Sequence, residues 1–331
     1  MNRDTRFLRW AVGTVVARRA GAFVELLALG LLAAGLAGCG ASFDSPTLLA
    51  KLRLLALQAA PVNPAQGEAT TITPLVYSPS DAAPEFAWSW CPLLGQPNDG
   101  YLCPISYDDA SARLAAAGVT APVPAFDLGA APTASFSNPF PPDVLAALCA
   151  GGFDEQPLDC TNGFPIRVLV RVTQGPATQL GTTVVRLPIA AGAVSNANPV
   201  PGALSVDLAS GTAVLDAAGS VRVPRLQDDV LHLAIDDSQA ETYVGTGLDG
   251  GTATLRETLL FSWFAELGDF HDARTLFIDA VESLPDATTN KWKPPAVRQD
   301  GRPTSRLIVV VRDVRGGVGW TSATVSLEPT P

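Results

Sequence analysis

The hexapeptide FAWSWC, Phe86–Cys91, decides the fold. Phe86, Trp88 and Trp90 recur at spacing two, which puts three aromatic rings on one face of an extended chain. The same period returns downstream, where Ile166, Val168, Val170 and Val172 fall on one face and Arg167 and Arg171 on the other. Thr182–Leu187 completes a hairpin with that strand. Upstream, Leu52, Leu54 and Ala56 alternate with Arg53, Leu55 and Leu57 in a first strand ending at Pro61, and Glu68–Tyr77 forms a second. Pro74 inside the second marks an edge or a bulge, because proline cannot donate to a ladder.

Between these strands, Pro92 to Gly163 reads as Pro-rich loop with short helices at Asp108–Ala117 and Pro142–Ala150. A connection this long is uncommon unless it is functional or stapled. It carries Cys103, Cys149 and Cys160, and Cys91 stands at its start. An even set of cysteines outside a reducing compartment reads as two disulfides, of three possible pairings. The preferred pairing is local, Cys91 with Cys103 and Cys149 with Cys160. The nested pairing, Cys91 with Cys160 and Cys103 with Cys149, stays open. Neither C-x-x-C nor a histidine-rich zinc spacing occurs, so no metal and no cofactor is expected.

AGAVSNANPVP, Ala191–Pro201, reads as a linker. Beyond it the alternation resumes at Leu231, Leu233 and Ile235, again at Leu259, Phe261 and Trp263, then in the apolar run Leu307–Val311, and last at Val325 and Leu327. Few helical patterns interrupt these strands, which favours antiparallel sheet packing. The halves also match each other: FAWSW (Phe86–Trp90) with LFSWF (Leu260–Phe264), and Arg171–Leu187 with Val311–Leu327. A tryptophan on a central strand followed by a closing hairpin is the pattern of an immunoglobulin-like sandwich. The expected fold is all-β, with two tandem immunoglobulin-like β-sandwiches at 48–190 and 202–331, the first carrying a disulfide-stapled insertion at 92–163.

The N-terminal region carries an address. Arg3, Arg6, Arg9, Arg18 and Arg19 precede an apolar core, Leu26–Ala37, the layout of an export signal. Only 13 residues lie between Glu25 and Cys39, short of the roughly 20 that a membrane helix needs. Leu36-Ala37-Gly38-Cys39 resembles the lipobox of bacterial lipoproteins, in which small residues admit a signal peptidase and the thiol receives a diacylglycerol. That resemblance implies a signal peptide at 1–38, lipid attachment at Cys39 and a tether at 39–47. Gly40 after the cysteine, rather than Asp, favours the outer membrane. Cleavage there removes five arginines and two acids and takes the formal charge from −10 to −13. So acidic a chain disfavours nucleic acid and leaves the lipid, rather than a basic patch, to hold the protein at the membrane.

Trp88, Trp90 and Cys91, together with Val309, Val310, Arg312, Asp313, Arg315, Gly316, Gly317 and Trp320 near the C-terminus, make the chain resemble predicted outer-membrane lipoproteins of the myxobacterial type. The resemblance implies two β domains behind a lipid anchor and no established activity.

The remaining motifs are weighed by context. GTGLDG, Gly245–Gly250, matches a dinucleotide fingerprint, but a strand-like segment follows it where a helix is required, so it reads as a hairpin loop. His232 reads as a surface-facing strand residue and His271 as a loop residue, and neither a G-x-S-x-G elbow nor H-E-x-x-H accompanies them. Asp108-Asp109, Asp228-Asp229 and Asp236-Asp237 lack the spacing of a calcium loop and read as solvated turns. Trp292 and Trp320 are candidate binding aromatics, with packing between sheets or domains as the alternative. The functional expectation is a non-catalytic, lipid-anchored envelope protein whose Cys91–Cys160 loop contacts an envelope protein or polysaccharide. The alternative is an envelope carbohydrate-active enzyme or hydrolase using acidic loop residues.

Overall fold

The computed structural model describes residues 45–95, 98, 100–116, 118–152, 160–190, 195–224, 227–246, 251–295 and 303–328. Cys39 and the lipobox lie outside them.

Seven strands build the first sandwich: β1 (Arg53–Ala60), β2 (Ala69–Tyr77), β3 (Glu85–Cys91), β4 (Asp127–Gly129), β5 (Ala134–Ser137), β6 (Phe164–Gln174) and β7 (Ala177–Leu187). One sheet has the order β1-β2-β5 and the other β4-β3-β6-β7. Trp88, Trp90, Ile166, Val168, Val170 and Val172 all point between the sheets and are essentially inaccessible. Each indole donates its N–H to a carbonyl, Trp88 to Ala131 and Trp90 to Ala125, both at 2.8 Å. The rings therefore bury their apolar surface without stranding a donor, and each stabilises the core by roughly 2–3 kcal/mol. Pro74 pairs with Leu57 of β1 on one side. The ladder of β2 with β5 ends at Ile72, so no bond is lost at Pro74 on the other side.

The stretch 92–163 is not all loop, because β4 and β5 lie inside it and complete the two sheets. Only Ala134 and Phe136 of β5 are buried, too short an alternation to announce a strand. Two helices flank them, α1 (Tyr107–Ala116) and α2 (Pro142–Ala147), the latter continuing as a wider turn over Leu148–Gly152. Disulfides join Cys91 to Cys103 (Cα–Cα 5.5 Å) and Cys149 to Cys160 (Cα–Cα 6.0 Å), the local pairing.

The second sandwich contains β8 (Leu204–Leu208), β9 (Gly211–Val214), β10 (Arg222–Val223), β11 (Asp229–Leu233), β12 (Thr242–Thr246), β13 (Thr252–Arg256), β14 (Leu259–Ala265), β15 (Asp269–Phe270), β16 (Arg274–Phe277), a short helix α3 (Leu284–Ala287), β17 (Thr289–Lys293), β18 (Thr304–Asp313) and β19 (Val318–Leu327). Its sheets run β15-β17-β11-β8-β9 and β10-β19-β18-β14-β16, with β12-β13 a separate hairpin between β11 and β14. In both halves the tryptophan strand pairs with the first strand of the closing hairpin, and the first two strands of the half share the opposite sheet with a later one. That is the immunoglobulin strand order. The match of FAWSW to LFSWF holds for the strands but slips by one residue: Phe86, Trp88 and Trp90 correspond in facing to Leu259, Phe261 and Trp263. In a pleated strand a one-residue slip exchanges the faces.

The chain doubles back at the linker, so the sandwiches lie side by side. Strand β1 runs along the outer face of the β14-β18-β19 sheet. The backbone of Leu49 donates to Ala265 (2.8 Å), Arg312 donates to the Leu55 carbonyl, and Gln58 Nε2 donates to the Val318 carbonyl at 2.5 Å. Leu49, Leu55, Ala56, Tyr77, Ile308, Val310 and Val318 form the apolar seam, with Leu75, Phe264 and Trp320 packed against it. The seam explains the run Leu307–Val311. Its odd positions fill the second core, and its even positions, Ile308 and Val310, face the first sandwich.

Candidate functional site

The turn between β18 and β19, RDVRGG at Arg312–Gly317, anchors a hub of charged side chains. Asp313 Oδ1 accepts from the backbone N–H groups of Arg315 and Gly317, both at 2.8 Å, and so closes the turn on itself. Its Oδ2 accepts from Asn196 of the linker at 3.0 Å. Gly316 has φ +103°, a conformation that side chains resist. Three residues on, a Cβ at Gly319 would collide with the Pro199 carbonyl, so only glycine lets the linker pass. Linker residue Asn198 completes the joint, donating to the Ala59 carbonyl and accepting from Val318 N–H, both at 2.8 Å.

Held by that turn, Arg315 projects into a buried acidic nest. Its Nε lies 2.5 Å from Glu257 Oε1 and its Nη2 2.6 Å from Glu241 Oε2. The guanidinium also sits 4.9 Å over the Tyr243 ring. The Glu257 side chain is 1% exposed. Burial raises its carboxyl above the ordinary value and the charge of Asp313 adds to that, against the pull of Arg315. A second arginine of the same hairpin region, Arg256, pairs with Asp237 at 2.7 Å and Asp279 at 3.6 Å and stacks 5.1 Å over Phe277. These pairs border a cleft of about 1100 Å³ between Thr161–Gly163 of the first sandwich and Asp237–Val244 of the second. The carboxylates that face it are already bound to arginines, an arrangement that fixes loops and leaves no free acid–base pair among them.

A second candidate is the loop closed by Cys91–Cys103. Arg167 donates from Nη1 to the Gly95 carbonyl (2.9 Å) and stacks 4.5 Å over Tyr101. Tyr101 adopts φ +59°, a strained conformation that the cross-link and the arginine hold in place. Beside it Leu102 is 69% exposed and Tyr107 41%. The described part of the loop thus holds Leu102 outward beside the cross-link and the Arg167 contacts.

The other expected residues are placed as follows. Trp292 is no binding aromatic: it is wholly buried in the second core and its indole donates to the Leu267 carbonyl at 3.1 Å. Its neighbours on β17, Lys291 and Lys293, take the exposed face, so alternation turns the ring inward. Trp320 packs on the seam between the sandwiches, which is the packing role rather than the binding one. His232 stands on β11 with its ring 2.9 Å from Asp207 and 3.1 Å from Thr289. That hydrogen bond holds the Asp207 carboxyl below its ordinary value, helped by Thr212. His271 is exposed and meets Asp272 at 3.0 Å. Gly245 and Thr246 belong to β12, paired with β13, while 247–250 lie outside the described residues. Asp108 and Asp109 lie in the first turn of α1, and Asp236 caps the turn Asp237–Gln239. Asp229 is not a solvated turn residue: it is 3% exposed and its Oδ2 has no hydrogen-bond partner. Burial, then the charges of Asp228 and Glu328, push its carboxyl up to about 7. Among the described residues, no group of three or more His, Cys, Asp or Glu is arranged to hold a metal ion, and no helix is long and apolar enough to cross a membrane.

Glu241 and Glu257 escaped the sequence reading because they lie 74 and 58 residues from Arg315. The available signal was Glu257 at the mouth of the apolar strand LLFSWF, where a charge needs a partner.

No family model matches this sequence, and no curated protein matches it. Solved structures with which it aligns include a chimeric titin Z1Z2-Z1Z2 tandem functionalised with a GRGDS exogenous peptide from fibronectin (10% identity, 84% of this chain and 99% of that chain, TM-score 0.24). Others are the N-terminal eight Ig domains of Down Syndrome Cell Adhesion Molecule (10%, 85% and 25%, TM-score 0.20) and the D00-D0 domain of intimin (8%, 84% and 98%, TM-score 0.21). At TM-scores this low the likeness carries nothing about function, and the fold stands on the strand order given above.

Proposed function

We propose that the chain is a non-catalytic protein of the cell envelope, held at the outer membrane by a lipid on Cys39, whose sandwiches present a binding surface to an envelope protein or polysaccharide. The observation that supports a binding role is the stapled loop, with Leu102 exposed beside the Cys91–Cys103 cross-link and the Arg167 contact to Gly95. A rigid apolar contact loses little conformational entropy on binding, the condition under which a few residues carry an interface. The acids of the cleft are bound to arginines, which speaks against the hydrolase alternative.

Two measurements test the proposal. Cys39→Ser should abolish a diacylglyceryl mass on the protein and release it from the membrane fraction. Since β4 and β5 lie inside 92–163, a point substitution tests the loop better than a deletion. Leu102→Asp should weaken retention on purified sacculi or outer-membrane vesicles by about tenfold while leaving the melting curve unchanged. Retention equal to that of the unaltered protein would remove the loop from the contact surface.

A further inference from the structure

Both sandwiches share one polarity, and the N-terminal segment enters the pair at one end, called the joining end, opposite to the linker. Pro46–Leu49 does not lead straight into the first sandwich. Leu48 bridges to Ala265 at the end of β14, Thr47 accepts from Ala265 N–H at 2.9 Å, and Arg53 donates back to the carbonyls of Pro46 (2.8 Å) and Leu48 (3.0 Å). The ladders then place every other loop at one end or the other. Arg53 opposes Tyr77, so the β2–β3 connection lies at the joining end, and Ser78 bonds Gln174 of the β6–β7 turn there. In the second sandwich Ala265 opposes Leu307, and Lys293 pairs with Asp269 just beyond Ala265, so these too are at the joining end. At the opposite end stand Cys91 opposite Arg167, Leu187 opposite Phe164, the β18–β19 turn, and the β12–β13 hairpin that Arg315 ties to that turn.

Seven peptide links, through six intervening residues, connect Cys39 to Pro46, a reach of at most roughly 25 Å. The ten residues of β18 span about 33 Å. From these lengths we infer that the joining end of both sandwiches faces the bilayer, so that the second sandwich returns to the membrane beside the first instead of standing beyond it. This inference rests on lipidation of Cys39. The described residues of the bilayer-facing end include exposed groups of both signs, Lys51, Asp81, Glu85, Asp269, Lys293 and Arg306, and among these the charges balance, so they form no basic adhesive patch. The far end then combines the stapled loops of the first sandwich, with Leu102, and the β12–β13 hairpin of the second, where Val244 is 69% exposed. The presented surface is thus a composite of both sandwiches, with the cleft between them.

Energy transfer from a dye on the protein to an acceptor in the lipid headgroups reads this orientation. Single cysteines are introduced at three exposed positions, as Asp81→Cys, Lys293→Cys and Val244→Cys, into the full protein purified from membranes and reconstituted in nanodiscs. Peptide maps check that both disulfides are intact, and intact mass reports the state of Cys39. With Cys39 lipidated, transfer from positions 81 and 293 should both exceed that from 244 severalfold. Strong transfer from 81 with weak transfer from 293 would mean the sandwiches stand end to end above the membrane and would overturn the inference alone, as would transfer from 244 equal to the others. An unmodified Cys39 would overturn the proposed anchoring and this orientation with it.

Discussion

The longest connection in each sandwich needs fastening, and the two are fastened by different physics. In the first, the residues between β3 and β6 are cross-linked by Cys91–Cys103 and Cys149–Cys160. In the second, the residues between β11 and β14 have no cysteine available, since none follows Cys160 in the chain. Charge does the work there: Arg315 binds Glu241 and Glu257, and Arg256 binds Asp237. A disulfide joins only the two points it links. Arg315 sits on a turn that also grips the linker through Asp313 and Asn196, so the charged fastening transmits to the joint between the sandwiches. The first loop is therefore a reductant-sensitive local feature, and the second is part of what sets the pair side by side.

The outer faces of equivalent hairpins give the largest expected contrast. Val310→Asp puts an unpaired charge into the buried seam and should cost more than about 4 kcal/mol, whereas Arg171→Asp on the exposed face of β6 should stay within about 0.5 kcal/mol. Urea unfolding of the two variants measures both. Next, Arg315→Ala leaves Glu257 buried without its partner and should cost about 3–5 kcal/mol. Adding Glu257→Gln should restore much of that, and a double-mutant cycle in which the losses simply add would show that the charge is not the fastening. Replacing Cys149 and Cys160 with alanine should cost about 2–4 kcal/mol. Hydrogen exchange of β14 and β18 should change far less than that of β3 and β6, and equal loosening of both sets would erase the distinction drawn above.

The smallest effect belongs to Asp229, whose buried Oδ2 has no hydrogen-bond partner. With its folded value raised to about 7, the native chain holds a proton that the unfolded chain has released between about pH 4 and pH 7. Stability contributed by this group is therefore full at the acid end and lost as the pH rises through that window. Asp229→Asn should be neutral near pH 4 and stabilising by about 1–3 kcal/mol at pH 8. A gain independent of pH would trace to packing instead.

Much of the fold is legible in the sequence because period two is a physical signature: FAWSWC, the Ile166–Val172 alternation and Leu259–Trp263 each announce a strand with one buried face. Where burial is two-sided the signature changes. Leu307–Val311 reads as unbroken apolar sequence, and its meaning, a second sandwich on the outer face, shows only once β1 is seen lying across it. β5 stays hidden because two buried residues make no period. The hub is half legible: RDVRGG stands out as a motif and Glu257 beside an apolar strand signals that it needs a partner, but nothing local says that the partner is Arg315, 58 residues away.

The bridge from Leu48 to Ala265 has a consequence in time. A chain that emerges N-terminus first, at roughly 5–20 residues per second, delivers Ala265 and then β18 on the order of ten to fifty seconds after Leu48. Throughout that interval Leu49, Leu55 and Tyr77, which the finished molecule hides beneath Ile308 and Val310, have no surface to cover them. The first sandwich is obliged to wait, its outer face open to any other apolar surface, and a holdase that shields β1 until the last hairpin arrives would govern the yield of correctly assembled protein.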